Sequence, residues 1–118
     1  SGHLPLLPDG GMITGKVGGN LSVEEGARAA RQVGLNVLAT VREILGSLDR
    51  VERVIKLLGM VNAVPDFTQH PQVINGCSEL FRDVWGEDCG VGARSAFGVS
   101  GLPAGTCVEI EGILSLRE

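Results

Sequence analysis

At 118 residues, 43% of them apolar and 20% charged, the chain is long enough for one domain with an ordinary core. It is also lean in the charge that a small monomer needs to cover its surface, which points to an oligomer. A net charge of −4 without any basic block, and 3% aromatics with no tyrosine, exclude the positive footprint and the stacking platform of a nucleic-acid binder.

The cysteines, Cys77, Cys89 and Cys107, are odd in number and widely spaced, with no metal-ligand pattern. A reducing compartment, cytoplasmic or mitochondrial, is expected. No apolar run approaches the ~20 residues that span a bilayer, so no membrane partner is expected.

Residues 1–20, SGHLPLLPDGGMITGKVGGN, predict the end of a strand, a turn at PDGG, a short strand over MITGKV and a glycine-rich loop. The glycines and Lys16 lack the spacing of a phosphate loop. Ser22 and Glu25 form a capping box, and apolar residues from Ala27 to Leu45 recur at helical spacing up to Gly46, a left-handed stop. VERVIKLLGMVNAV, 51–64, predicts a strand apolar on both faces at Val54, Ile55, Leu57, Leu58, Met60 and Val61.

Pro71 suits the first turn of a second helix, whose inner stripe is Ile74, Cys77, Leu80, Phe81 and Val84 and whose stop is Gly86. Two strands follow, about 91–99 and 107–116. The order strand, helix, strand, helix, strand, strand makes an α+β domain, two helices on one face of a mixed sheet. A strand asking for burial on both sides then needs a second copy of the chain to cover the other face.

GARSAFGVSGLPAG, 92–105, contains one charge, Arg94. Alternation places Gly92, Ala96 and Gly98 with Arg94, and Ala93, Ser95, Phe97 and Val99 opposite. In the last strand Val108, Ile110 and Leu114 share one face, and Cys107, Glu109 and Glu111 the other. Matching the apolar faces puts Arg94 with Glu109 and Glu111 on the helix-free side, in a hollow lined by small residues. Such a face is either an anion grip with a carboxylate to hold water, or an Arg–Glu salt bridge that only pins an interface. The residues alone favour the salt bridge.

ARSAFGVSGLPAGTCVEIEGIL closely resembles the C-terminal signature of the Rid family of reactive-intermediate deaminases, also called YjgF-type or endoribonuclease L-PSP. SGHLP resembles its SGQ-[ILV]-P segment, and residues 24–62 its first helix and central strand. DFTQHPQVINGCSELF is similar to a subgroup with a longer connection before the second helix.

The resemblance covers the whole chain as one domain, 1–118, whose family-type first strand would precede SGHLP. It implies a chorismate-mutase-like, ferredoxin-like-related fold and a homotrimer with its sheets facing a central barrel. It further implies hydrolysis of enamines and imines such as 2-aminoacrylate to 2-keto acids and ammonium in clefts between subunits, without a metal or cofactor. Arg94 would grip the substrate carboxylate and Glu109 would orient water; Ser95, Ala96, Gly2 and Cys107 would line the cleft, and Asn75 would support it. Ala96 stands where many relatives carry cysteine.

Two other functions remain in view: a non-catalytic regulatory binder of small carboxylates, and the ribonuclease or translation-inhibitor activity associated with some relatives. Of the remaining candidates, His3 is expected as a hydrogen-bonded structural residue, His70 in an exposed loop, Cys77 in the core, and Cys89 in a turn with its thiol exposed. Ser1 is expected to be an ordinary serine rather than a nucleophile.

Overall fold

A computed structural model describes residues 2–118; Ser1 lies outside the described residues. The elements run β1 (Gly2–His3), α1 (Val23–Leu45), β2 (Val51–Asn62), α2 (His70–Gly90), β3 (Ala93–Val99) and β4 (Val108–Leu116), with 3-10 turns at Leu48–Arg50 and Pro103–Gly105. The strands form one mixed sheet in the order β1-β4-β2-β3. β2 and β3, joined through α2, are parallel; β4 is antiparallel to β2 and to β1. The predicted α+β architecture and order of elements hold.

The helix boundaries follow local chemistry. Ser22 accepts from the Glu25 amide at 3.1 Å, and Glu25 accepts from the Ser22 amide at 3.0 Å. The Ser22 amide, and after it the Ser22 side chain, hold the Glu25 carboxyl below its ordinary value. Gly46 closes α1 in the left-handed region, φ 82°. Ser22→Ala is expected to cost about 1 kcal/mol, measured by denaturant unfolding.

Pro71 lies in the first turn of α2, and Gly86, at φ 87° and ψ 167°, breaks its helical geometry before a last turn reaches Gly90. The inner stripe of α2 is buried at Ile74, Cys77, Leu80 and Phe81, whereas Val84 is exposed. On α1 the buried stripe is Gly26, Ala29, Ala30, Val33 and Gly34, and Ile44 points to solvent. Glycines belong to that stripe because α1 and α2 cross closely: a Cβ on Gly76 of α2 would fall on the Ala27 carbonyl oxygen of α1.

The strand expected over MITGKV reduces to single bridges, Leu6 to Met12, Thr14 to Thr106, and Val17 to Leu21 and Ala63. Its neighbours differ at each step, and Gly15 at φ 125° interrupts it. Lys16 ties this segment down: Nζ donates to Asn62 Oδ1 at 2.7 Å and to the Ser100 carbonyl at 2.9 Å. Ile55, expected inside, stays half-exposed beside the irregularity between Val54 and Lys56.

Strand register decides the faces. Gly112, Leu57 and Arg94 make one row across β4, β2 and β3, followed by Ile110, Gly59 and Ala96, then Val108, Val61 and Gly98. These rows face the helices: a Cβ on Gly59 would lie 2.6 Å from Ile74, and one on Gly98 2.6 Å from the His70 ring. The open face carries the alternate rows: Ile113, Lys56, Ala93; Glu111, Leu58, Ser95; Glu109, Met60, Phe97. Ile113 is 61% exposed there and Phe97 42%.

The expected register of the last two strands is therefore corrected. Arg94 lies on the helix side and Glu109 and Glu111 on the open side, which Phe97 shares with them across β2. β3 and β4, consecutive in sequence, do not pair because β2 lies between them. The small residues sharing the Arg94 face admit α2 to the sheet at close range, which is why Ala96 and Gly98 sit beneath it.

Candidate active site

Arg94 stands on the edge strand β3, where its side chain reaches past the sheet to α2. Its Nη1 donates to Asn75 Oδ1 at 2.7 Å and to Ser78 Oγ at 3.1 Å. Asn75 and Ser78 are three residues apart on α2, so one helical face presents both oxygens. Both acceptors are neutral, so the guanidinium is oriented without its charge being cancelled. Among the described residues, no protein hydrogen bond engages Nε or Nη2, the fork that binds a carboxylate side-on.

A cavity of about 430 Å³ opens at this point. Arg94 and β3 form one wall and the Asn75, Ser78, Glu79, Arg82 face of α2 the other; Leu57 lies at its base and the backbones of Gly90 and Gly92 at its end. Gly92 is needed because a Cβ there would strike the Val54 carbonyl. The arrangement can hold a small carboxylic acid with its anionic end on Arg94.

The other predicted residues are dispersed. Asn75 touches Arg94 directly. Ala96 is helix-facing and packed against the core, and Ser95 is on the open face. Glu109 also lies on the open face, near the opposite edge of the sheet; a Cβ on Gly2 would run into its carboxylate, so Gly2 and Glu109 are neighbours. Cys107, expected beside Glu109 in the cleft, is instead fully buried within the core cluster.

His3 Nε2 is 2.9 Å from Thr40 Oγ1, the structural role expected. His70 begins α2 and meets Phe67 edge-on at 5.1 Å, rather than standing free in a loop. Cys89 belongs to the last turn of α2 and is half-buried. Ser78, Glu79 and Arg82 escaped the sequence reading. Their signal is the polar stripe 75, 78, 79, 82 flanking the apolar stripe of α2, but nothing local tells that β3 runs beside it.

Burial pushes the Cys77 thiol up to about 12, with the nearby Arg94 charge opposing, and Cys107 up to about 11. Both remain protonated at neutral pH. Iodoacetamide on the folded protein at pH 8 is expected to modify Cys89 and spare Cys77 and Cys107, read by peptide mass spectrometry. Stability should fall as pH rises from the ordinary thiol value of 9 toward 11 and 12, because the unfolded chain releases two protons that the folded chain keeps. Among the described residues no group of three His, Cys, Asp or Glu side chains is placed to hold a metal ion, and no helix is long and apolar enough to cross a membrane.

The chain is 46% identical over 117 residues to Protein TCP17 of Trypanosoma cruzi, covering 99% of this chain and 73% of that one. Atu1372 from Agrobacterium tumefaciens, a crystal structure of unknown function, superposes with a TM-score of 0.95 at 42% identity, over 99% of this chain and 76% of that one. A "putative endoribonuclease" from Shewanella oneidensis superposes at 0.92 with 26% identity, over 98% and 76%. Residues 1–108 match the family described as "YjgF/chorismate_mutase-like, putative endoribonuclease". With the two-helix, mixed-sheet fold above, that match places the chain in the YjgF family, the Rid family of its C-terminal signature.

Proposed function

We propose that the protein hydrolyses reactive 2-enamine and 2-imine acids to 2-keto acids and ammonium, in clefts built between protomers of a homotrimer. The observation that carries this reading is the Arg94 guanidinium, held by two neutral oxygens with its charge directed into an open cavity. Arg94 binds the substrate carboxylate and so places the adjacent imine carbon in the cavity. Water adds to the carbon of the protonated imine while a carboxylate takes its proton. The carboxylate returns that proton to the carbinolamine nitrogen, the C–N bond breaks, and the hydroxyl proton leaves with the departing ammonia as ammonium, giving the ketone.

Glu109 is the carboxylate assigned to the water, and it must come from a neighbouring protomer. Within one chain it lies on the other face of the sheet, with β2 between its strand and that of Arg94. Arg94 marks the β3 edge, and Glu109 packs beside Gly2 at the β1 edge. Docking one protomer's β3 edge against another's β1 edge would bring the two together. The half-exposed apolar residues of the open face, Phe97 and Ile113 among them, support association.

A complementation experiment tests both chemistry and assembly. Arg94→Ala and Glu109→Gln should each be inactive toward enzymatically generated 2-aminoacrylate. Unfolding and refolding the two together should restore about a tenth or more of wild-type turnover, since some mixed trimers contain an intact cleft. Wild-type protein that turns over no imine would end the deaminase reading. Absence of recovery from two folded but inactive variants, beside an active wild type, would place the site within one chain.

A further inference from the structure

The Arg94 cavity extends beyond the atoms that a carboxylate and an imine require. Asn75, Ser78, Glu79 and Arg82 occupy positions i, i+3, i+4 and i+7 of α2, a single stripe along the cavity wall. Asn75 and Ser78 hold Arg94 at one end. Arg82 lies four residues, about 6 Å of helix rise, beyond Ser78. A rise of that size is on the scale of a four- or five-carbon acid chain. Gly90, Gly92 and Val91 bring no polar side chain to the cavity.

Glu79 and Arg82 therefore supply its far polar chemistry, and they differ in kind. A guanidinium only donates hydrogen bonds, and a carboxylate only accepts them. Of the charges that one chain brings to the cavity, Arg94 is taken by the substrate carboxylate, which leaves Arg82 and Glu79 as one donor and one acceptor; Glu109, from the neighbouring protomer, is assigned to the water. A second negative charge on the ligand would meet Glu79. An apolar end would leave both groups without a hydrogen bond from the ligand.

We infer that this cavity selects acids ending in a carboxamide, the 2-imino and 2-keto derivatives of amino acids with amide side chains. The amide oxygen accepts from Arg82 and the amide NH2 donates to Glu79. The inference rests on Arg94 as the carboxylate grip and names the substrate class of that site.

The test is calorimetric titration of the whole chain at pH 7 with glutaramate, glutarate and pentanoate, acids of equal length that end in carboxamide, carboxylate and methyl. Glutaramate should bind about tenfold more tightly than pentanoate, and more tightly than glutarate. Glu79→Gln removes the carboxylate beside Arg82 and should raise glutarate above glutaramate. Arg82→Met should bring glutaramate down to the level of pentanoate.

Equal binding of glutaramate and pentanoate by the wild type, or glutarate binding tightest, would overturn the selection while leaving the grip intact. Pentanoate binding undiminished by Arg94→Ala, or no binding of any of the three acids, would remove the grip and the inference with it. Because no turnover is read, a protein that binds with this ranking but hydrolyses no imine would refute the deaminase reading and uphold the selection.

Discussion

Arg94→Ala should abolish imine hydrolysis and weaken binding of small carboxylic acids by about 100-fold or more. That is the scale of two charge-assisted hydrogen bonds lost from one fork. Arg94→Lys should rescue little. An ammonium keeps the charge but cannot span both oxygens of a carboxylate, and its tip cannot also reproduce the hydrogen bonds to Asn75 and Ser78. Asn75→Ala keeps the guanidinium and removes one of its two anchors, so its defect should fall between wild type and Arg94→Ala and appear mainly in KM. The fold should survive each change, because Arg94 is exposed on an edge strand and its anchors lie outside the buried stripe of α2. Titration with pyruvate, followed by turnover of 2-aminoacrylate, checks the series. Full activity in Arg94→Ala would remove the site from this cavity.

Gly76→Ala is expected to be the most damaging single-methyl change to the fold. The added carbon would fall on the Ala27 carbonyl oxygen of α1, a backbone atom fixed by its own helix, so relief requires the two helices to separate. The closely packed contacts among Ala29, Ala30, Val33 and Cys77 would be disturbed with them. A cost of about 3 kcal/mol is expected, from a total stability on the order of 6–18 kcal/mol for a chain of this length. That corresponds to a fall of roughly 10 °C in Tm, measurable by calorimetry. Gly2→Ala is the internal comparison. Its methyl meets only the flexible side chain of Glu109, which can swing away, so stability should change by less than about 0.5 kcal/mol. A Tm unchanged in Gly76→Ala would refute the close crossing.

The same two sites separate what was legible in the chain from what was not. Ser22 with Glu25, Gly46, Pro71 and Gly86 mark helix ends through interactions that span a few residues, and the structure places the boundaries or kinks at those positions. The alternation of β4 correctly kept Glu109 and Glu111 out of the core. The alternation of β3 was equally clear, but its assignment to a face was inverted. Pairing Phe97 with the apolar side assumes that a strand's larger apolar residue turns to the core. On β3 the helix side is filled by Ala96, Gly98 and the approaching His70, and Phe97 has no room there. Arg94 can face a helix because β3 is an edge strand, where a long side chain reaches polar partners beyond the core.

Composition, helix ends, the order of elements, the apolar stripe of α2 and the family signature were therefore determined by the sequence, because each depends on residues near one another along the chain. The insertion of β2 between β3 and β4, the separation of Arg94 from Glu109, the burial of Cys107 and the meeting of Arg94 with Asn75 and Ser78 were decided by the tertiary structure. The physical reason is that strand order and helix-to-sheet distance are collective results of packing. Whether an arginine meets a glutamate or an asparagine depends on which strand lies between them and how small the residues beneath the helix are.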